Sequence, residues 1–152
     1  MQIRKVNIND YNEVLKLYKE LYEAETIYDN NLTDEYLLDE KLENTIRKRI
    51  KSRKEIFLVV EIDNKLVGLI DGYILENIHH KEKVVYLDHL CVDKKYRRQN
   101  IGTTLIKEFS DIAKKKGAKL IMLNAFENNT KAINLYKKLG FREHSIYYVN
   151  EI

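Results

Sequence analysis

The feature that most constrains the fold is an apolar strand followed by a polar loop, a helix and a second apolar strand. Residues 84–92 are apolar on both faces of a strand except at Asp88 and His89, a pattern typical of a central strand. A helix with one apolar face is predicted over residues 101–116, and a second two-faced strand over residues 118–126. Two strands joined through a helix form a right-handed crossover, so these two are expected to be parallel.

The rest of the chain adds strands and helices to this unit. Apolar runs over residues 56–62 and 66–75 flank Asp63, Asn64 and Lys65 and predict an antiparallel hairpin. We therefore predict the α/β class, with a central mixed sheet, helices on both faces and a single domain over residues 1–152. The other predicted elements are a strand over residues 2–8, a helix from Asp10, a short helix capped by Asn128 or Asn129 and ended by Gly140, and one or two closing strands over residues 141–149. A further helix is predicted over residues 33–51 with Thr33 as N-cap, and its apolar line is Leu38, Leu42, Ile46 and Ile50. Cations near its end match the helix dipole; these are Arg47, Lys48, Arg49 and Lys51.

Composition excludes several classes of protein. A single cysteine permits neither an internal disulfide nor a thiolate zinc site. His79 and His80 lie in a polar loop, and no metal is expected there. The N-terminus lacks the apolar core of a signal peptide, and no apolar run approaches the ~18 residues of a membrane span. We expect a cytoplasmic protein that does not bind membranes.

The positive charge of the chain is concentrated in one segment. The net charge is +3, and residues 93–116 carry eight basic side chains against three acidic ones. A local excess suits a small anion better than a nucleic acid, and Tyr96 is the only aromatic among these basic residues that could stack on a base. The lysines at 114–116 have a simpler explanation, since cations stabilise the last turn of a helix.

The loop that opens the helix at residue 101 has the character of an anion site. Unpaired backbone N–H groups at a helix start, next to two arginines, suit a diphosphate. Asn100 tolerates a positive φ and Gly102 permits a close backbone approach. The loop matches neither a Walker loop nor a dinucleotide fingerprint. Its residues are Arg97, Arg98, Gln99, Asn100, Ile101, Gly102 and Thr103.

This segment resembles the GCN5-related N-acetyltransferase (GNAT) family, whose pyrophosphate motif is Gln/Arg-x-x-Gly-x-Gly/Ala. Arg97, Asn100 and Gly102 stand at the motif positions, with Asn100 in place of the usual glycine. Asparagine keeps the N–H donor, so weaker or slightly altered diphosphate binding is expected. A second stretch, residues 129–141, resembles the family signature Asn-x-x-Ala-x-x-x-Tyr-x-x-x-Gly-Phe. The resemblance extends from about residue 84 to residue 141.

The resemblance implies the GNAT fold and transfer of an acetyl group from acetyl-CoA, as co-substrate, to a primary amine by direct attack in a ternary complex. It implies that Tyr136 donates a proton to the departing CoA thiolate. Cys91 is expected to be a small buried side chain, with no covalent enzyme intermediate. The implied coenzyme-binding residues are Leu90, Cys91 and Val92 through their backbone, Arg97, Arg98, Gln99, Asn100, Ile101, Gly102 and Thr103 at the diphosphate, and Asn129, Ala132 and Tyr136 on the far side.

The general base and the acceptor stay open at this stage. A carboxylate on an apolar central strand costs free energy unless it is paired or functional, and polyamine- and thialysine-type members carry an acid in a similar stretch. Asp88 is the first candidate base and His89 the second, while a backbone-bonded Asp88 at a β-bulge is an alternative. Acids and aromatics at the end of the first helix suit a cationic amine in a small molecule or a peptide; these are Tyr18, Tyr22, Glu23, Glu25, Tyr28 and Asp29.

Two further hypotheses are retained. A GNAT-like module that binds CoA without catalysis is the alternative to an enzyme, although the phenol at Tyr136 favours the enzyme. The segment over residues 141–149 can pair across a two-fold axis, so a homodimer is possible from the sequence but not required.

Overall fold

The computed structural model describes residues 1–29, 31–32, 40–76 and 79–150. Short 3-10 turns lie at Ile8–Asp10 and Lys94–Tyr96. The strands are β1 (Gln2–Lys5), β2 (Glu55–Ile62), β3 (Lys65–Ile74), β4 (Val84–Val92) and β5 (Leu120–Met122), and the helices are α1 (Tyr11–Glu25), α2 (Glu40–Lys51), α3 (Ile101–Lys115) and α4 (Thr130–Lys138).

The five strands form one mixed sheet in the order β1-β2-β3-β4-β5. The first three pairings are antiparallel, and β4 pairs with β5 in parallel. Because α3 connects β4 to β5, the predicted crossover is confirmed, and β4 lies inside the sheet as its two apolar faces indicated.

Helices cover both faces of the sheet, as predicted. Phe57 and Val59 point to the face that packs against α1 and α2, whereas Leu58 and Val60 point to the face that packs against α3. This alternation is the period of two that a strand imposes on its side chains. The two clusters bury Val14, Leu17, Tyr18, Leu42, Ile46 and Ile50 on the first face, and Ile101, Leu105, Ile106, Phe109 and Ala113 on the second.

The β2–β3 hairpin forms as predicted, with a two-residue loop. Asp63 and Asn64 have φ values of 50° and 58°, which is the conformation of a type I′ turn. Aspartate and asparagine tolerate this left-handed region better than most residues do, and the turn matches the twist of the strands that it joins.

The first strand is shorter than predicted, because the chain turns at Asn7. The Asn7 side chain accepts the N–H of Asn9 at 2.9 Å, and the Asp10 carboxylate accepts the N–H of Asn7 at 2.8 Å. This reciprocal cap forms the short turn that leads into α1 and ends the strand at Lys5.

The sequence prediction was wrong at the other end of the sheet. The parallel ladder stops at the pair Tyr86 and Met122, so β5 has three residues, and Leu120 is 42% exposed. No strand is present over residues 141–150, although closing strands were predicted over residues 141–149. A short β5 offers few ladder positions, and alternating apolar residues form a strand only where a neighbouring strand pairs with them.

The second helix is observed from Glu40 to Lys51, and its buried residues Leu42, Ile46 and Ile50 follow the predicted apolar line. The proposed N-cap Thr33 and the first residue of that line, Leu38, lie outside the described residues. Among the described helices, none is long and apolar enough to cross a membrane.

A β-bulge interrupts the pairing of β3 with β4. Asp71 pairs with His89 and Gly72 pairs with Leu87, so Asp88 is the extra residue. This confirms the bulge that was considered for Asp88. A Cβ atom at Gly72 would overlap the carbonyl oxygen of Tyr86. The bulge therefore brings β4 so close to β3 that only glycine fits at position 72.

Gly72→Ala is expected to lower the free energy of unfolding by about 1–3 kcal/mol, the usual cost of overpacking a core. The added methyl would also meet Phe109 Cζ at 2.7 Å. Urea denaturation of the variant and of the unsubstituted protein gives the difference. The control is Gly102→Ala, whose Cβ would meet Leu135 at 3.5 Å, an ordinary contact. Equal stability of both variants would contradict the close approach at the bulge.

Candidate active site

The sheet opens between β4 and β5. Pairing runs from Val84 with Leu120 to Tyr86 with Met122, and beyond that point the two strands separate. The second half of β4 continues to pair with β3 up to Val92. In the described part of the chain, the edge of β4 at residues 90–92 therefore faces a gap, with backbone groups that no β5 residue pairs. These are the residues whose backbone the family resemblance assigns to the pantetheine arm of the coenzyme.

The start of α3 lies next in the chain after this gap. Asn100 has a φ of 61° and is the N-cap of α3, without a capping bond from its side chain. The first helical hydrogen bond runs from the N–H of Thr104 to the carbonyl of Asn100, at 3.0 Å. The N–H groups of Ile101, Gly102 and Thr103 precede that bond and point out of the helix end. The positive φ of Asn100 agrees with the expectation that this residue tolerates one, and the loop keeps amides that suit an anion.

Arg97 and Arg98 have different environments in this loop. The Arg97 Nε donates to the Val92 carbonyl at 2.8 Å, and its Nη2 lies 3.2 Å from Glu20 Oε1. These contacts hold the loop against β4 and α1. Arg98 has a φ of 66° and an exposed side chain. Both arginines are exposed, but Arg97 also holds the path of the backbone through its contacts with Val92 and Glu20.

The fourth helix carries the second motif. The Asn129 side chain accepts the N–H of Ala132 at 3.2 Å, which confirms Asn129 as the N-cap. Leu135 approaches Gly102, so α4 lies beside the start of α3. The ring of Tyr136 contacts Phe141 with centroids 5.7 Å apart. Burial, and then the charge of Glu25, raises the pKa of Tyr136 to about 12, so its phenol keeps its proton at neutral pH.

Cys91 is a buried thiol. Its Sγ donates to the Leu17 carbonyl at 3.3 Å, and burial followed by the charge of Glu20 raises the pKa of Cys91 to about 12. The side chain packs between the sheet and α1, as expected for a small apolar residue. Its side chain is no candidate nucleophile, because the thiolate is the reactive form.

A polar cluster lies on the α1–α2 face of the sheet, beside the bulge. The Asp71 carboxylate is 0% exposed. It accepts the Tyr18 hydroxyl, Arg49 Nη1 at 3.0 Å and His89 Nδ1 at 2.9 Å. Arg49 also donates through Nη2 to Asp88. We call these five residues the Asp71 cluster.

Sequence analysis did not identify Asp71 and Arg49. Arg49 was counted among the cations that stabilise the end of a helix. The available signal for Asp71 was the same as for Asp88, an acid within an otherwise apolar strand. The Asp88 side chain pairs with Arg49 rather than with the backbone, so the bulge alternative is right about the backbone and wrong about the side-chain partner.

Electrostatics connects this cluster to Tyr136 through Glu25. Burial raises the pKa of Glu25, the charge of His89 lowers it and the charge of Asp88 raises it. The same Glu25 acts on Tyr136. The end of α1 is therefore within electrostatic reach of both the Asp71 cluster and the phenol on α4.

The other acids and aromatics near the end of α1 divide into two groups. Tyr22 reaches the cluster, with its hydroxyl 3.2 Å from His89 Nε2. Tyr28 stacks on Phe126 with centroids 5.8 Å apart, so the chain after α1 meets the chain after β5. The Asp29 side chain accepts the N–H of Asn31, and Glu23 is exposed, so neither residue takes part in the cluster contacts described above.

Asp71, Asp88 and His89 have ligand types and spacing compatible with a metal ion, since their ligand atoms lie within 4.8 Å of one another. Arg49 donates to both carboxylates. Its guanidinium already supplies the positive charge that these carboxylates require, so we assign no metal to this group. His79 and His80 are exposed and outside this group.

The chain belongs to the acetyltransferase (GNAT) family, whose family model matches residues 12–141. An uncharacterized N-acetyltransferase of Methanocaldococcus jannaschii is 32% identical over 147 residues. The match includes 95% of this chain but 62% of that relative, so the chain spans less than two thirds of its length.

Solved structures have the same fold. A mutant of the BH1408 protein of Bacillus halodurans superposes with a TM-score of 0.88 at 23% identity, covering 100% of this chain and 99% of the other. The PaiA N-acetyltransferase of Thermoplasma acidophilum, solved in complex with coenzyme A, has a TM-score of 0.76 at 27% identity. That match covers 96% of this chain and 92% of the other. The predicted fold class is therefore confirmed.

Cys91 in the folded protein is expected to resist a thiol reagent such as dithionitrobenzoate at pH 8. A buried thiol with a pKa of about 12 supplies almost no thiolate at that pH. Absorbance should report less than a tenth of one equivalent during the first minutes, and one equivalent after unfolding in urea. Immediate reaction of the folded protein would contradict the buried placement of Cys91.

Proposed function

We propose that this protein transfers an acetyl group from acetyl-CoA to a primary amine by direct attack in a ternary complex. The observation that carries the proposal is the opening between β4 and β5, with the free amides of α3 at one end and the protonated phenol of Tyr136 on α4. Family membership and the coenzyme A complex of a similar structure support acetyl-CoA as the co-substrate.

The coenzyme would lie along the gap. Leu90, Cys91 and Val92 would pair their backbone with the pantetheine arm, and an N–H of this edge would stabilise the thioester oxygen as negative charge develops on it. The amides of the loop up to Thr103 and the exposed Arg98 would bind the diphosphate. Gln99 would contribute its backbone N–H, and Asn129 and Ala132 would line the opposite side.

The chemistry needs one proton donor and one proton acceptor. As the amine attacks the thioester carbonyl, the C–S bond breaks and Tyr136 protonates the departing thiolate. The ammonium group of the acceptor must first lose a proton, and Asp88 and His89 are the two candidate bases. Both lie on the α1–α2 face of the sheet, which is the side proposed for the acceptor.

The proposed acceptor is a primary amine of a small molecule or a peptide. Acidic and aromatic groups around the cluster, among them Glu25, Tyr22 and Asp88, favour a cationic group. We propose a cytoplasmic location.

Acetyl-CoA is expected to raise the melting temperature, because a ligand that binds only the folded state stabilises it. At about 100 times the dissociation constant the gain is about 2.7 kcal/mol. A double variant, Arg98→Glu with Gly102→Glu, should lose this shift, since it places two negative charges at the diphosphate loop. The absence of a shift in the unsubstituted protein at saturating acetyl-CoA would overturn the proposed function.

Tyr136→Phe is expected to lower kcat by about 10²-fold while acetyl-CoA binding persists, because general acid catalysis contributes about 10²–10⁴-fold. Release of free CoA would be followed with spermidine, lysine, sisomicin and an alanine-terminated peptide as acceptors. Stabilisation by acetyl-CoA without turnover of any amine would favour the non-catalytic CoA-binding module. An unchanged kcat in Tyr136→Phe would remove this residue from the proton-donor role.

A further inference from the structure

We propose that Asp71 is a positioning residue that makes His89, rather than Asp88, the base that deprotonates the acceptor. This inference rests on the proposed function for its catalytic part. Its structural part is the fixed orientation and protonation pattern of the His89 ring, which can be measured in the free protein.

The contacts of Asp71 determine which nitrogen of His89 carries the hydrogen. Burial raises the pKa of Asp71 and the charge of His89 lowers it, while donation from Tyr18 and Arg49 holds the group as a carboxylate. A carboxylate only accepts hydrogen bonds, so Nδ1, 2.9 Å from Asp71 Oδ1, donates. In the neutral ring Nε2 then has the lone pair, and it lies 3.2 Å from the Tyr22 hydroxyl. The ring therefore presents its basic nitrogen toward α1 and away from the buried carboxylate.

Arg49 also lies close to Nδ1 of His89, and the hydrogen is still assigned to Nδ1. Its Nη1 is 3.3 Å from His89 Nδ1 and 3.0 Å from Asp71 Oδ1. If Nδ1 lacked a hydrogen, its lone pair would face the carboxylate oxygen at 2.9 Å with no hydrogen between them. The consistent arrangement has both nitrogens donating to the one oxygen of Asp71.

The two candidate bases differ in their charged partners. Arg49 Nη2 donates directly to Asp88, so an ammonium would compete with the guanidinium for that carboxylate. A proton on His89 instead gives the imidazolium a charged partner in Asp71. The cluster therefore favours the arrival of a proton at His89.

The proton transfer can be written with every atom accounted for. The ammonium gives a proton to the Tyr22 oxygen while the Tyr22 hydroxyl proton moves to His89 Nε2, or the ammonium gives its proton to Nε2 directly. Either way the amine becomes neutral and its lone pair is free to attack the thioester. The nitrogen loses its second proton to water as the amide forms and the C–S bond breaks. The imidazolium then returns its proton to water, and the tyrosinate left at Tyr136 after protonation of the thiolate takes one proton from water.

The charges around His89 determine whether replacing Asp71 raises or lowers the pKa of His89. Burial by itself lowers the pKa of His89, but the charge and hydrogen bond of Asp71 raise it, and the net shift is upward. Removing the charge of Asp71 must therefore lower the pKa of His89. The titratable and charged groups that face the ring are Tyr18, Tyr22 and Glu25 from α1, Arg49 from α2, Glu55 from β2, Asp71 from β3 and Asp88 from β4.

The first experiment uses the unsubstituted, ligand-free protein. Two-dimensional ¹⁵N–¹H spectra of the histidine rings, with His89→Gln to assign the signal, report which nitrogen carries the hydrogen at high pH. The proposal requires the Nδ1–H tautomer for neutral His89. The Nε2–H tautomer would overturn it, and this outcome does not depend on whether any variant folds or any amine is acetylated.

The second experiment compares Asp71→Asn with the matched variant Asp88→Asn, which also removes one carboxylate near the ring, 3.6 Å from Nδ1. NMR titration should show the pKa of His89 falling by about 1–3 units in Asp71→Asn, the usual effect of losing an adjacent opposite charge. A smaller fall is expected in Asp88→Asn. An unchanged pKa in Asp71→Asn would overturn the proposal.

The pH dependence of turnover then tests the catalytic part, with one amine used throughout so that its own titration cancels between variants. Since the base must be neutral, kcat should rise with pH through the pKa of His89. This limb should move to lower pH, with a lower plateau, in Asp71→Asn, should persist in Asp88→Asn and should be lost in His89→Gln. A limb lost in Asp88→Asn instead would assign the base to Asp88. Absence of turnover in the unsubstituted protein would contradict the proposed function and leave the NMR results to decide the role of Asp71.

Discussion

A fully buried carboxylate must be paired, and much of the site follows from how this chain pairs Asp71. Its three partners come from three elements: Tyr18 from α1, Arg49 from α2 and His89 from β4. Loss of one partner from such a group typically costs about 3–5 kcal/mol, because a charge is then left uncompensated. The carboxylate therefore fixes the positions of two helices against the sheet as well as the orientation of the histidine ring. The same contacts that compensate the buried charge of Asp71 therefore also set the geometry of the site.

Two irregularities of the sheet give the site its position. The bulge at Asp88 allows consecutive residues of β4, Asp88 and His89, both to contact Arg49, which regular alternation would place on opposite faces. After Tyr86, β4 separates from β5, and within the described residues no strand pairs with this edge of β4. The last paired residue, Tyr86, lies two residues before Asp88, the extra residue of the bulge. The acceptor-side cluster and the gap proposed for the coenzyme thus belong to the two sides of one strand.

The sequence could predict features that depend on local chemistry. The bounds of β4, the left-handed Asn100 and the cap at Asn129 follow from residue types and their spacing, and the structure has all three. It could not predict Arg49 as a partner of Asp71, because that contact depends on the register of β3 with β4 and on how α2 packs over them. The predictions of a strand over residues 118–126 and of closing strands over residues 141–149 were wrong at their full length because strand pairing also depends on distant parts of the chain. An apolar run shows that a segment can pair, but the length of its partner decides whether it does.

The same electrostatic environment suits both binding of a cation and removal of its proton. Arg49 carries one positive charge against the two carboxylates Asp71 and Asp88, so with His89 neutral these groups leave a net negative charge that attracts an ammonium. The arriving cation in turn disfavours protonated His89 and so favours the form of the ring that can accept a proton. Tyr136, in contrast, must keep its proton until the thiolate leaves. Burial and the charge of Glu25 raise the pKa of this phenol and so keep it protonated. One negatively charged environment therefore keeps the proton donor protonated and attracts the group that must lose a proton, which is the division of roles that acyl transfer to an amine requires.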